Sequence, residues 1–228
     1  MKIKNNVNYF TKGDSLKFVG AAMVALAFLL YFVGWGWISW ILICTFFPVG
    51  AVLFIVGSSG RSGDDDIDEY IAVKTRELDP NLDLNKDYAQ RIMKYSEAVE
   101  IEGYEFRDGL MYTKTKKGVV RSSEFTKTVI YTLTDALHIT SRTVPLTTDE
   151  ERADRVLELP YEDIVRAELS EEQRRFVFNK KSFSVKELRF CVVMANGETV
   201  SMPIHDDLRS EQLVENVNRI LENYRKSK

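Results

Sequence analysis

Residues 18–33 and 37–56 are two apolar runs set back to back, with only Gly34-Trp35-Gly36 between them, and neither holds a charge. A helix rises about 1.5 Å per residue, so runs of roughly 16–20 residues nearly match a hydrocarbon layer of about 30 Å. Leu, Ile, Phe and Val each contribute roughly −0.3 to −0.6 kcal/mol to insertion, so about a dozen per run favours spanning by a few kcal/mol. The chain reads as a membrane α-helical hairpin, with transmembrane helices over 16–33 and 37–56, that carries an α+β soluble domain. No ionisable residue interrupts either run, which argues against an ion pathway or a proton relay.

Orientation follows from the flanks. Lys2, Lys4, Lys12 and Lys17 precede the first run, Arg61 follows the second, and the intervening turn has no basic residue. Basic residues stay on the cytoplasmic side, so a multi-pass protein of the inner membrane with both termini in the cytoplasm is expected. Tyr31, Trp35, Trp37 and Trp40 gather around the turn, at the level where amphipathic rings anchor the opposite interface. Lys17 is placed to snorkel at the near one. Ala25-Leu26-Ala27 has the look of a signal-peptide cleavage site, but it lies mid-run and a second run follows at once. Ala21 with Ala25, and Gly50 with Ala51, offer close-approach surfaces for packing within the hairpin or for self-association. Pro48 is expected to kink the second helix.

A net charge of −3 over 228 residues excludes capture of nucleic acid by bulk charge. The two cysteines, Cys44 in the second apolar run and Cys191 in a strand-like segment, form no disulfide framework and no zinc spacing. Neither a metal nor a cofactor is expected.

Beyond the hairpin (1–57), residues 58–97 read as a flexible Gly/Ser linker followed by short helices. Ile67, Tyr70, Ile71 and Leu78 recur at helical spacing over 66–78, and Tyr88, Ile92, Met93 and Tyr95 do so over 86–95. These helices lie along the bilayer or dock on the domain that follows. From residue 98 to 228 the pattern turns to period two. Strands are expected over 99–106 and 110–116, joined as a hairpin by Arg107-Asp108-Gly109. Others are expected over 126–133, 137–142, 155–159, 165–169, 174–178, 187–194 and 198–204, the last two joined at Asn196-Gly197. Leu213, Val214, Val217, Ile220, Leu221 and Tyr224 then form one stripe of an amphipathic closing helix. A run of short strands closed by a helix describes a small open barrel plugged at one end.

Several segments in that order carry a likeness. They are Tyr131-Thr132-Leu133-Thr134-Asp135-Ala136-Leu137-His138-Ile139, Leu159-Pro160-Tyr161-Glu162-Asp163-Ile164, the Asn196-Gly197 turn, Pro203, and the helix from about Asp207. Together they resemble the bacterial pleckstrin-homology-like (PH-like) domains over residues 126–224. The resemblance implies a curved antiparallel sheet of about seven strands with a capping helix, and a binding or scaffolding role without catalysis. Lipid-reading members of the wider fold place several basic residues on the first two strands. Here only Lys127 and Arg142 flank that hairpin.

Catalytic groups are not evident. His138 alternates with Leu137 and Ile139 and is expected to face solvent, and His205 stands at a strand end without further ligands. Cys191 reads as a core residue. No nucleophile elbow occurs. Two basic clusters are the candidate contact sites for an anionic surface: Lys114, Lys116, Lys117 and Arg121, and Arg174, Arg175, Lys180 and Lys181 with Lys186 beyond. On a tethered domain each basic side chain near an anionic leaflet contributes about 1 kcal/mol. The reading is a membrane-anchored, non-catalytic scaffold whose partners are the bilayer and another protein or a second copy. The competing reading is a sensor. In it a ligand held among Tyr104, Phe106, Tyr112, Phe125 and Tyr131 drives association of the hairpins.

Overall fold

The computed structural model describes residues 3–11, 15–33, 36–58, 60, 62–76, 78, 91, 98–150, 152–205 and 207–227. The chain divides into two units, Met1–Gly63 and Asp64–Lys228.

The first unit is helical. Helix α1 spans Ile3–Thr11, α2 Ser15–Val33 and α3 Gly36–Ser58, the last continuous through Pro48. The α2 and α3 helices pack along each other, and Gly20 meets Gly50 at a close approach. A Cβ on Gly50 would stand 2.9 Å from the Gly20 carbonyl oxygen, and one on Gly20 would strike the backbone of Phe54. Absence of a side chain at both positions is what allows this approach. Sequence reading singled out Ala21 and Ala25 and missed Gly20. Apolar side chains otherwise face outward along both helices, among them Phe18, Phe28, Leu29, Phe32, Trp37, Val52 and Ile55.

Helix α1 was not anticipated, and it alters the picture of the linker. Asn8 Nδ2 donates to Gly60 O at 2.6 Å, Ser62 N donates to Asn5 O at 3.2 Å, and Ser62 Oγ donates to the buried Asn6 at 2.7 Å. The glycines permit the turn, and α1 then holds it in place.

The second unit begins with α4, Asp64–Thr75, whose first turn is all acidic and therefore suits the helix dipole. Nine strands follow among the described residues: β1 Val99–Tyr104, β2 Tyr112–Lys114, β3 Val120–Ser122, β4 Glu124–Thr132, β5 Ala136–Pro145, β6 Arg155–Pro160, β7 Ile164–Phe178, β8 Lys181–Met194 and β9 Thr199–Pro203. A 3-10 turn at Tyr161–Asp163 separates β6 from β7, and α5, Asp207–Ser227, closes the chain. All pairings are antiparallel. They build a four-stranded sheet in the order β1-β4-β5-β6, a three-stranded sheet β7-β8-β9, and the ribbon β2-β3. The small open barrel expected from the run of strands is not formed: among the described residues no sheet closes into a barrel.

One core joins the two larger sheets to α5. Ile130, Leu137, Ile139, Ile164, Phe190 and Val192 are sealed from solvent, and Leu213, Val217 and Leu221 of α5 pack on them. The helical stripe read from sequence is the stripe that is buried. At the corner where β1 meets the end of β9, Gly103 lets the strands approach, since a Cβ there would lie 3.0 Å from Ile204 N. A smaller aromatic core holds the ribbon against the far end of the β7-β8 hairpin. Tyr112 stacks on Phe176 at 4.9 Å between ring centres, with Phe106, Phe183 and Val185 around them.

Three further expectations are corrected. Residues 99–106 and 110–116 do not pair with each other: β1 pairs with β4, Val99 opposite Ile130, while β2 pairs with β3. Alternation identifies a strand but carries no information about which neighbour completes the better core. Segments 165–169 and 174–178 are one strand, because the intervening polar residues lie on exposed faces of a continuous hairpin. Its turn is Asn179-Lys180, with φ of 49° and 61°. The two-residue turn with both φ positive matches the twist of paired strands. His138 is buried, at 7% exposure, and not turned to solvent. Its strand is covered on the outer face too, where Arg91 bridges Asp135 and Glu158, the latter paired with His138. The expected helix over 86–95 lies outside the described residues except for Arg91.

Candidate functional site

The two basic clusters fall on one region, the aromatic core formed by β2, β3 and the far half of β7-β8. Lys114 ends β2, and Lys116 and Lys117 lie in the turn closed by Thr115 N to Val119 O at 2.9 Å; all three are exposed. The Lys116 backbone N donates to Asp64 Oδ2 at 3.1 Å, which ties this turn to the start of α4. Arg121 does not belong with them. Its guanidinium donates to Asp64 O and Asp68 Oδ2, lies over the Tyr104 ring at 5.7 Å, and is largely buried. Arg121 fastens α4 to the sheet and presents little charge outward.

Lys180 and Lys181 occupy the β7-β8 turn and Arg175 the strand beside it, all exposed. Arg174 is drawn into a network on the opposite face of the hairpin. Nε donates to Glu172 Oε2 at 2.8 Å and lies 3.5 Å from Glu187 Oε2. The structure thus places Lys114, Lys116 and Lys117 at the β2-β3 turn and Lys180, Lys181 and Arg175 at the end of the β7-β8 hairpin, all exposed, and pairs Arg121 and Arg174 within the chain.

Sequence reading missed that network. Glu187 is 3% exposed, and Arg189 donates to Glu187 Oε1 at 2.7 Å, to Glu105 Oε2 at 3.0 Å and to Ser201 Oγ at 3.1 Å. Glu187, Arg189 and Ser201, with Glu172, Arg174 and Cys191, line a shallow polar concavity of about 340 Å³ on the outer face of β7-β8-β9. Register gathers these residues from strands far apart in sequence, and only the alternation of Glu187, Arg189 and Cys191 hinted at a shared face. Burial pushes the Cys191 thiol up, away from the reactive thiolate form.

A second concavity of about 470 Å³ lies between α4 and the β5-β6 end. There Arg142 holds Asp154 with two hydrogen bonds, at 2.7 and 2.8 Å, and donates to Lys74 O at 3.1 Å. Nearby, Glu124 is buried between Arg107 and Arg152, each 2.7 Å away. Burial opposes its charge, but the two guanidinium hydrogen bonds outweigh that and hold the carboxyl below the usual carboxylate range. Burial also lowers His138, with Glu158 opposing and Arg91 reinforcing the shift.

The aromatic residues considered as ligand walls are mostly packed on one another. Tyr104 meets Phe125 edge-on at 5.1 Å, and Tyr112 lies within the small core, where burial pushes its phenol up to about 12. No group of three or more His, Cys, Asp or Glu that would hold a metal occurs among the described residues.

Of the residues expected as membrane-interface anchors, Tyr31, Trp37 and Trp40 are exposed and the Tyr31 and Trp40 rings meet at 6.2 Å. Lys17 is exposed, 6.0 Å over the Phe54 ring. Trp35 lies outside the described residues. Within α3, Trp40–Gly57 is the one stretch among described residues long and apolar enough to cross a membrane, with mean hydropathy 2.4, whereas the apolar part of α2, Lys17–Phe32, is shorter. Comparison with known protein families, curated proteins and solved structures finds no match for this chain.

Proposed function

We propose that this chain is a membrane-anchored, non-catalytic interaction module. In this reading α2 and α3 cross the inner membrane as a hairpin with both termini cytoplasmic, and a PH-like β domain is displayed in the cytoplasm. The outward apolar surface of α2 and α3 carries the proposal. Phe32 is 81% exposed, and a surface of this kind on two packed helices is an aggregation hazard in water but is solvated by lipid. The 19 residues of α2 rise about 28 Å, close to the hydrocarbon thickness, although their apolar stretch is the shorter one. Four strands in one sheet, three in a second and a C-terminal helix packed on β7 support the PH-like reading.

The exposed lysines favour contact with an anionic leaflet. Lys114, Lys116 and Lys117 stand at the β2-β3 turn, which is bonded to Asp64, seven residues after Gly57 in the chain, and Lys180 and Lys181 stand at the β7-β8 turn with Arg175 in the strand beside it. Lysine acetylation of the intact protein in nanodiscs, read by mass spectrometry, tests this. Labelling at these lysines is expected to slow several-fold in phosphatidylglycerol relative to phosphatidylcholine. Equal rates in both would remove the lipid contact.

A further inference from the structure

Strand β7 is an edge strand, and its two halves are treated differently. Near its start, Asn218 of α5 donates to Ala167 O and accepts from Ala167 N, both at 2.8 Å, and Arg225 donates to Ile164 O and Val165 O. These contacts satisfy the backbone groups that a neighbouring strand would otherwise take. From Leu169 onward that protection stops.

The phase of the open part is fixed by register. Ala167 turns its backbone N and O away from β8, and pairing runs without a shift from Ala167 opposite Val192 to Phe178 opposite Lys181. Leu169, Glu171, Gln173, Arg175 and Val177 therefore direct their N–H and C=O groups outward, since these alternate along a strand. No hydrogen bond reaches those groups among the described residues. Residues 171–175 are exposed, and Val177 is 74% exposed. A long uncovered edge is an invitation to strand addition.

The side chains indicate which strand is added. Residues 169–177 read Leu-Ser-Glu-Glu-Gln-Arg-Arg-Phe-Val, a segment whose charge reverses about its midpoint. We propose that a second copy of this chain pairs with it, β7 against β7 in antiparallel fashion, with a twofold axis at Gln173. Each Glu171 then faces Arg175 of the other copy, each Glu172 faces Arg174, and Leu169 faces Val177. Gln173 lies opposite itself, and because its backbone groups point outward, the odd-numbered residues form the hydrogen-bonded pairs. About ten inter-chain hydrogen bonds follow over this length. Neighbouring in-phase registers place Glu172 against Glu172 or Arg174 against Arg174, so charge selects one alignment. The two three-stranded sheets merge into one of six.

The pairing depends on β7 alone and holds whether or not α3 crosses a bilayer, so its test bears on the edge and not on the anchor. The intact chain in detergent is sized by light scattering as wild type, as Glu171→Arg, as Arg175→Glu, and as an equimolar mixture of the two variants. Each single variant sets like charges opposite each other at both 171–175 contacts, and dimer affinity is expected to fall about tenfold. The mixture restores opposite charges at both contacts and is expected to recover the wild-type affinity as a heterodimer, which a misfolded variant does not do. A wild-type chain that stays monomeric at every concentration overturns the proposal. So do variants that dimerise as the wild type does, and a mixture without recovery.

Discussion

Glu124 is almost sealed, yet it keeps its charge because Arg107 and Arg152 close on it from two sides. Its folded-state carboxyl is depressed, so its contribution is present above the unfolded value of about 4.3 and is lost as pH falls through the folded value. Glu124→Gln is expected to lower the unfolding free energy by about 1–3 kcal/mol at neutral pH, discounted because Arg107 is more than half exposed. The same variant should flatten the loss of stability below pH 5. Denaturant melts across the acid range check both, and parallel pH profiles for variant and wild type would contradict the assignment. Such pairings were not legible in sequence. Arg189 and Glu105 are 84 positions apart and Arg121 and Asp68 are 53, so a basic residue in a cluster gave no sign of whether it faces outward or inward.

At the scale of elements, periodic features were legible and partnered ones were not. The stripe of α5 stood out because burial of one helical face needs apolar residues every three or four positions, and Leu213, Val217 and Leu221 supply it. The Asn196-Gly197 turn was equally plain, with Gly197 at φ 86°. Pairing of β1 with β4 was hidden, since it skips the inserted β2-β3 ribbon, and the Asn179-Lys180 turn was hidden within a basic run. The role of Asn218 was also invisible, because it lies on the helix as an ordinary polar residue. Asn218→Ala withdraws both partners of Ala167 at the sheet edge and is expected to cost about 1–2 kcal/mol in chemical denaturation. A change within measurement error would mean that water serves that edge equally well.

For the molecule as a whole, two kinds of surface call for different solvents. The helical unit carries outward-facing phenylalanine, leucine and tryptophan, while in the β unit the exposed large apolar residues are valines and the rest of the surface presents lysine, arginine and glutamate. That contrast was legible from the first sixty residues, because hydropathy depends on composition more than on tertiary contacts. The proposed contact site was legible only as a set of basic residues, and folding divided the set between exposed positions and internal ion pairs. The most direct measurement is protease accessibility in sealed bacterial spheroplasts and in inverted membrane vesicles, after confirming that alkaline carbonate leaves the chain in the membrane. The β unit, residues 64–228, is expected to survive in spheroplasts and to be digested in inverted vesicles. Digestion in intact spheroplasts, or release of the chain by carbonate, would contradict a cytoplasmic domain held by a membrane hairpin.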